Sequence, residues 1–249
     1  MLYLNGKIIS ETTAAISPND RGFLLGDGLF ETILCYKHQP RFLKEHWDRL
    51  CNGAAFLEIP LPISEGNALQ IIQELLLVNN LNLFSVARIT LTRGVGARGI
   101  NLTPNLYPTI LINVFPFQRK KTPISTMISD ICINEQSPLT KFKTLNYLDK
   151  IIAKQRAMIA GFDDAILLNT KGRVVSTTTA NIFLVKNGAL YTPPVEEGAL
   201  PGITRQRVLN IATKKKMSVY EKALLPDDLF AAKEVFITNS LSGMCTLNI

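Results

Sequence analysis

Lys143 is the residue of this chain whose type and position most directly indicate chemistry. It opens the segment 143–148, after apolar residues at alternate positions and before an amphipathic helical pattern. A lysine with apolar neighbours at the end of a strand loses part of its hydration, which lowers the pKa of its amine and makes it a nucleophile. Such an amine forms Schiff bases. Lys141 and Lys150 lie close by, so the interpretation depends on what surrounds Lys143.

Two later segments have the composition of an anion site. Residues 176–179 are a row of hydroxyls before an apolar strand, and Gly202, Ile203 and Thr204 open a predicted helix. The free N–H groups and the dipole of a helix N-terminus attract a phosphate. Taken singly, Thr204 is an ordinary cap or first-turn residue and the hydroxyl row a solvated turn. An amine together with a phosphate cradle is what pyridoxal phosphate requires.

The composition is that of an ordinary globular protein, with 47% apolar and 19% charged residues in 249. No stretch of 18 apolar residues occurs, so we expect no membrane span, and the N-terminus does not resemble a secretory signal. The four cysteines are far apart and form no metal-binding pattern with the two histidines. We interpret them as reduced residues of a cytoplasmic protein.

The formal net charge of +7 raises the question of a nucleic-acid partner. The basic runs at 119–121 and 214–216 have no interleaved aromatic residues and no reader motif, so we expect no nucleic-acid binding. A positive field favours a small anionic substrate or a phosphate-bearing cofactor.

Periodicity predicts the elements that position these residues. Helices are expected at 42–57, 63–78, about 145–160, 202–216 and 227–233, with a hairpin in 1–15, a loop at 17–28 and strands at 29–35, 84–92, 109–115, 124–133, 165–168, 182–185 and 234–238. Two prolines bracket a polar run that suits a linker at 116–123. This predicts an N-terminal domain at 1–115 and a larger cofactor-binding domain at 124–249.

The chain resembles the fold-type IV pyridoxal-phosphate enzymes, which include branched-chain and D-amino acid aminotransferases and 4-amino-4-deoxychorismate lyases. Single motifs are weak, but their order along the chain is specific. The matching segments are 19–22, 26–32, His46 with Arg49 and Leu50, 143–148, 161–165, 181–183 and 202–205. The resemblance implies an α+β fold of the D-amino acid aminotransferase type, with two domains, and a homodimer.

The resemblance also implies roles for individual residues. Lys143 would form the Schiff base with the cofactor and then transfer the proton. Arg49 would pair with the cofactor phosphate, which Ile203 and Thr204 would bind through backbone N–H groups. Hydroxyls of Thr179 and Ser240 would add to this phosphate site. His46 either joins the site or only packs and hydrogen-bonds locally.

Ser176 departs from the family pattern, which usually has Glu at this position to pair with the protonated pyridine nitrogen of the cofactor. A serine brings no negative charge, so we expect a weaker electron sink and poorer transamination. A lyase would tolerate this better if aromatisation draws its reaction forward. The departure is also consistent with a cofactor-binding protein whose activity is weakened or lost.

Three features resemble the lyases within this family: the early loop 26–32 with Phe30, the stretch 92–100, and the turn at 238–241 near the end. In the second of these, Arg93 and Arg98 flank glycines, which suits a substrate with two carboxylates, although Ala97 and Ile100 depart from the lyase pattern. The resemblance implies that Phe30, Arg93 and Arg98 contact the substrate. The lyase reaction converts 4-amino-4-deoxychorismate to 4-aminobenzoate and pyruvate, in folate biosynthesis. A D-amino acid or branched-chain aminotransferase remains the alternative.

Overall fold

A computed structural model describes residues 1–102, 107–118 and 123–249, and these residues form two compact units. The first unit is Met1–Gln118 together with Phe142–Asn146; the described part of the second is 123–141 and 147–249. Residues 119–122, in the predicted linker 116–123, lie outside the described part. The segment 142–146 groups with the first unit because its backbone pairs with a strand of that unit, whereas the sequence prediction had assigned it to the C-terminal domain.

In the described residues of the first unit, six strands form one antiparallel sheet in the order β2-β1-β6-β5-β3-β4. Three helices accompany it. The elements are β1 (Leu2–Leu4), β2 (Lys7–Ile9), α1 (Arg21–Leu25), β3 (Gly28–Tyr36), β4 (Gln39–Pro40), α2 (Leu43–Phe56), α3 (Glu65–Val78), β5 (Phe84–Thr92) and β6 (Thr109–Pro116).

The core of this unit lies between the sheet and helices α2 and α3. Helix α2 buries Trp47, Leu50 and Ala54 at helical spacing, and β3 and β5 contribute Ile33 and Ile89 to the same cluster. Alternation along the strands and a three-to-four residue period along the helix therefore bury the same face that the sequence pattern predicted.

The second unit contains an eight-stranded mixed sheet within the described residues, in the order β12-β11-β10-β13-β14-β7-β8-β9. An additional β9–β10 pairing joins two non-neighbours in this order and makes the sheet barrel-like. The elements are β7 (Ile124–Ile133), α4 (Leu148–Ile159), β8 (Asp164–Asn169), β9 (Val174–Thr177), β10 (Asn181–Lys186), β11 (Ala189–Thr192), α5 (Ile203–Lys214), β12 (Val219–Glu221), α6 (Pro226–Phe230), β13 (Glu234–Asn239) and β14 (Gly243–Asn248).

Two helices pack on this sheet through separate apolar clusters. Helix α4 buries Ala153 and Ala157 against Leu167 of β8. Helix α5 buries Leu209 against Phe183 of β10, whose ring stacks on Phe236 of β13. The α+β class predicted from the sequence is confirmed.

Two predicted boundaries are corrected by local contacts. The loop expected at 17–28 contains the short helix α1, which Asp20 caps by accepting from the Gly22 N–H and which Gly26 ends in a left-handed conformation. The helix expected from about residue 145 begins at Leu148, since the preceding residues pair with β3 instead.

Candidate active site

The backbone of β3 holds the Lys143 segment in place. The Phe30 N–H donates to the Lys143 carbonyl oxygen over 2.9 Å, and the Leu145 N–H donates to the Gly28 carbonyl oxygen over 3.0 Å. Gly28 permits this approach, because a Cβ there would lie 2.4 Å from the Leu91 carbonyl oxygen and 2.9 Å from a Leu145 methyl carbon. The glycine of the early loop therefore explains how the lysine is held beside β3.

The amine of Lys143 lies over the ring of Phe30, with Nζ 4.2 Å from the ring centroid. This brings two predicted site residues together. The guanidinium carbon of Arg88, on β5, lies 4.0 Å from the same centroid, so one buried ring contacts two cations. Arg88 was not predicted from the sequence. The signal that could have indicated it is an arginine within a predicted strand of alternating apolar residues.

On β3, Glu31 follows Phe30 and binds two side chains of helix α2. Arg49 donates to it through Nε over 2.7 Å and through Nη2 over 2.8 Å, and His46 Nδ1 lies 2.6 Å from its second oxygen. Burial opposes ionisation of Glu31, but the hydrogen bonds and charges of Arg49 and His46 outweigh it and lower its pKa to about 2.

Because the Glu31 carboxylate is ionised, it can only accept a hydrogen bond, so His46 donates from Nδ1. His46 Nε2 is buried and has no hydrogen-bond partner among the described residues. The local role that the sequence left open for His46 is therefore observed. Glu31 holds the Arg49 guanidinium, and the pairing of Arg49 with the cofactor phosphate stays a prediction.

The two arginines predicted to bind substrate have different surroundings. Arg93 is buried, donating to Asp27 over 2.8 Å through Nε and to the Leu57 carbonyl oxygen over 2.7 Å. Arg98 is exposed. The contacts of Arg93 connect the end of β5 to the end of α2, which is a structural role, and the substrate-binding role of both arginines stays a prediction.

Asp27 is the acceptor that organises this region. Its Oδ2 accepts from Arg93 and from Arg21, each over 2.8 Å, and Arg21 also donates to the carbonyl oxygens of Gly99 and Ile100. Burial opposes ionisation, but the two guanidinium groups hold the pKa of Asp27 below its ordinary value. The early Asp20-Arg21 motif thus positions the loop that carries Arg98.

In the second unit, the hydroxyl row occupies the end of β9 and the turn to β10. The buried Ser176 hydroxyl donates to the Thr177 carbonyl oxygen over 2.9 Å, and Thr178 donates to Asp164. Thr179 is exposed. The Thr177 hydroxyl is buried without a hydrogen-bond partner among the described residues, as is that of Thr238 on β13.

Helix α5 begins at Ile203 after Gly202, which supplies no side-chain cap to the first-turn N–H groups. A Cβ on Gly202 would lie 2.0 Å from the Asn181 side-chain oxygen, and the Asn181 amide donates to the Leu200 carbonyl oxygen over 2.8 Å. The strand β10 thus fixes the approach to α5. Ile203 and Thr204 stand in its first turn, as predicted, and the half-buried Ser240 lies in the turn between β13 and β14.

These residues fit pyridoxal phosphate in their donor chemistry. Helix α5 presents an N-terminus without a side-chain cap, where an anion is favourable. The buried hydroxyls of Thr177 and Thr238 can each donate a further hydrogen bond. Lys143 supplies the amine. The assignment of individual residues to the cofactor stays a prediction.

Two other kinds of site are absent from the described residues. There, no three His, Cys, Asp or Glu side chains are grouped so that they could hold a metal ion. No described helix has the length and apolar character needed to cross a membrane.

This chain matches a known protein family and is similar to several named proteins. Residues 28–247 match the family model described as amino-transferase class IV. The chain is 39% identical over 244 residues to a provisionally named branched-chain-amino-acid aminotransferase of Methanocaldococcus jannaschii, covering 96% of this chain and 84% of that protein. It is 32% identical to a D-alanine aminotransferase of Bacillus licheniformis, covering 95% and 83%.

A solved structure extends the similarity to the fold. The crystal structure of a provisionally named 4-amino-4-deoxychorismate lyase from Legionella pneumophila matches with a TM-score of 0.90 and 36% identity. The match covers 95% of this chain and 87% of that one. The similar proteins therefore include both aminotransferases and a lyase.

Proposed function

Since this chain belongs to the amino-transferase class IV family and has its fold-type IV architecture, we propose that it is an aminodeoxychorismate lyase. The family is pyridoxal-phosphate-dependent. The proposed reaction converts 4-amino-4-deoxychorismate to 4-aminobenzoate and pyruvate, a step of folate biosynthesis. The substrate is a small anionic amine, which suits a chain with a net charge of +7.

Ser176 is the observation that carries the choice of a lyase. Its hydroxyl donates to the Thr177 carbonyl oxygen, and it brings no negative charge to the position where the family usually has Glu. When bound, the cofactor supplies an electron sink, and a neutral partner for its ring nitrogen weakens that sink. Formation of an aromatic product provides a driving force that amino-group exchange lacks.

The chain's own residues then have definite tasks. The Lys143 amine removes the proton from the amine-bearing carbon of the substrate, and the carbon–oxygen bond to the enolpyruvyl group breaks to leave the aromatic ring. The Lys143 ammonium returns the proton to the departing enolate, which becomes pyruvate. The guanidinium of Arg88, over the same Phe30 ring as Lys143, offers a charge partner for a substrate carboxylate. Arg98 is a second candidate for this task.

An assay of the purified holoenzyme tests the proposal. Incubation with 4-amino-4-deoxychorismate is expected to release 4-aminobenzoate and pyruvate in equal amounts. Lys143→Ala should reduce the rate at least about a hundredfold and abolish borohydride-reducible attachment of the cofactor. The matched variant Lys141→Ala changes an exposed lysine two residues away. It should leave the rate and the borohydride-reducible attachment of the cofactor unchanged.

An aminotransferase is the second candidate, because the M. jannaschii relative at 39% identity carries that name. Exchange of amino groups between D-alanine or a branched-chain amino acid and 2-oxoglutarate, without release of 4-aminobenzoate, would establish it instead. Bound cofactor with neither activity would indicate a cofactor-binding protein without turnover. A fully protonated cofactor ring nitrogen at neutral pH, measured by its nitrogen-15 shift, would contradict the role given to Ser176.

We also propose a homodimer and a cytoplasmic location. The dimer is an implication of the family resemblance, and sedimentation of the holoenzyme tests it. The free cysteine thiols are consistent with a reducing compartment. Cell fractionation tests the location.

A further inference from the structure

A cavity of about 680 Å³ lies beside helix α4 in the second unit. Tyr147, Lys150 and Thr179 contribute polar groups to its wall, and Ile151 and Met158 contribute apolar surface. A cavity of this volume is within the range of small-molecule sites. It shares Thr179 with the predicted cofactor residues.

Of the two described lysines that line this cavity, Lys150 is the one without a carboxylate partner. Its Nζ lies 4.6 Å from the centroid of the Tyr147 ring, and no Asp or Glu forms an ion pair with it among the described residues. Lys154, in the same wall, differs: it lies 3.6 Å from an Asp164 carboxylate oxygen and donates to the Asp163 carbonyl oxygen. The charge available to a ligand is therefore that of Lys150.

The surroundings of Lys150 favour binding of an anion. Burial lowers its pKa, because the ammonium has lost water without gaining a carboxylate in exchange. The ring of Tyr147 compensates only in part. A carboxylate entering the cavity would supply the missing charge and regain the free energy lost on desolvation of the ammonium.

We propose that this cavity binds the carboxylate of a small cyclic acid, with Lys150 as the charge partner and with Ile151 and Met158 in contact with the ring. The identity of the acid rests on the proposed function, in which the substrate is a cyclohexadiene that bears carboxylates. A wall with one lysine that lacks a carboxylate partner and with apolar side chains matches such a ligand better than it matches a hydrophilic anion.

Chorismate is the probe that separates binding from catalysis, since a hydroxyl replaces the reactive amine and no Schiff base can form. Titration calorimetry of the holoenzyme is expected to show binding that Lys150→Met weakens at least about tenfold. Lys150→Arg retains the charge and should stay within about threefold of the wild-type affinity. Lys214→Met, at an exposed lysine of α5, is the matched control and should not change it.

The outcomes distinguish this inference from the proposed lyase activity. Binding that depends on Lys150, in a protein that does not turn over 4-amino-4-deoxychorismate, supports the cavity while the proposed function fails. A folded Lys150→Met variant could instead turn over 4-amino-4-deoxychorismate with unchanged KM and bind chorismate with unchanged affinity. That result overturns the proposed carboxylate site in the cavity, while the lyase assignment stands. If chorismate does not bind to the wild type, the proposed carboxylate site is overturned as well. Sedimentation of Lys150→Met then shows whether a second copy of the chain covers this surface.

Discussion

At the scale of the residue, Phe30 connects the predicted nucleophile to a charge that the sequence analysis had not singled out. Lys143 and Arg88 come from distant parts of the chain and lie over one buried ring. A guanidinium binds carboxylates in a planar, bidentate manner, so Arg88 is the proposed partner of a substrate carboxylate. Phe30 contacts both side chains, and its contact with the substrate stays a prediction.

Replacement of Arg88 by Gln tests this arrangement. We expect KM for 4-amino-4-deoxychorismate to rise at least about tenfold, because a charge-assisted hydrogen bond to the substrate is lost. The absorbance of the bound cofactor should not change, since Lys143 remains. Arg41→Gln, at an exposed arginine of the same unit, serves as the control. An unaltered KM in Arg88→Gln would remove Arg88 from the substrate site.

The second residue-scale feature is Glu31, whose buried carboxylate binds His46 and Arg49. Its pKa is about 2 in the folded protein against an ordinary value of 4.5, so unfolding takes up a proton between these values. The stabilisation is complete above about pH 5 and is lost as the pH falls towards 2. The shift corresponds to roughly 3 kcal/mol.

Urea unfolding between pH 7 and 3 measures this contribution. In the wild type, the free energy of unfolding is expected to fall with decreasing pH below about 5, and in Glu31→Gln this part of the decrease should vanish. The variant should also be less stable at pH 7 by about 3–5 kcal/mol, because Arg49 loses its buried partner. Glu45→Gln, at an exposed position of α2, should retain the wild-type pH dependence. The same slope in both variants would contradict the assignment.

At the scale of the element, helix α5 begins directly after Gly202. This glycine is not in the left-handed conformation that usually explains a glycine. Gly202 has φ −74°, so its absence of a side chain matters through space and not through backbone strain. A methyl group there would meet the Asn181 side chain, which the hydrogen bond to Leu200 holds in place. The strand β10 and the helix α5 are therefore fitted to each other at the predicted phosphate site.

Gly202→Ala should displace the first turn of α5 and weaken cofactor binding by about tenfold, or about 1.4 kcal/mol. Spectroscopic titration of the apoprotein with pyridoxal phosphate measures the affinity. Gly66→Ala, in α3, is the matched control, because its Cβ would meet nothing closer than 3.9 Å. Equal affinities for the two variants would show that α5 does not bind the phosphate.

Helices and strands with a clear hydrophobic period were predictable from the sequence. Elements whose bounds depend on residues far away in the chain were not. The bounds of β7 agree with the sequence prediction, and α2 and α3 lie within a residue or two of it. By contrast, α1 has only five residues, too few for a helical period, and depends on the Asp20 cap. The late start of α4 depends on the backbone hydrogen bonds Phe30–Lys143 and Leu145–Gly28. The partners are more than a hundred residues apart in the chain, so periodicity does not predict these bonds.

At the scale of the whole molecule, the predicted cofactor residues are divided between the two units. Lys143 and Arg49 belong to the first; Ser176, Thr179, Ile203, Thr204 and Ser240 belong to the second. The sequence motifs located these residues, since each motif is local. They did not reveal the network of Glu31 or the contact with Arg88, because such partners meet only when helix α2 and strand β5 pack against β3.

This division can be tested by following the unfolding of one unit. Each unit has its own apolar core. A ligand that binds only the folded form of a unit stabilises that unit against unfolding. A probe inside one core therefore reports whether a ligand binds residues of that unit.

The single tryptophan makes the prediction specific, because Trp47 is buried in the core of the first unit. In the apoprotein, inorganic phosphate is expected to raise the thermal midpoint seen by Trp47 fluorescence, because Arg49 of the same unit is predicted to pair with the phosphate. A hundredfold excess of phosphate over its Kd would stabilise the folded form by about 2.7 kcal/mol. Pyridoxal phosphate should raise this midpoint further, because Lys143 also belongs to the first unit. If inorganic phosphate left the Trp47 transition unchanged, Arg49 would not contribute to phosphate binding.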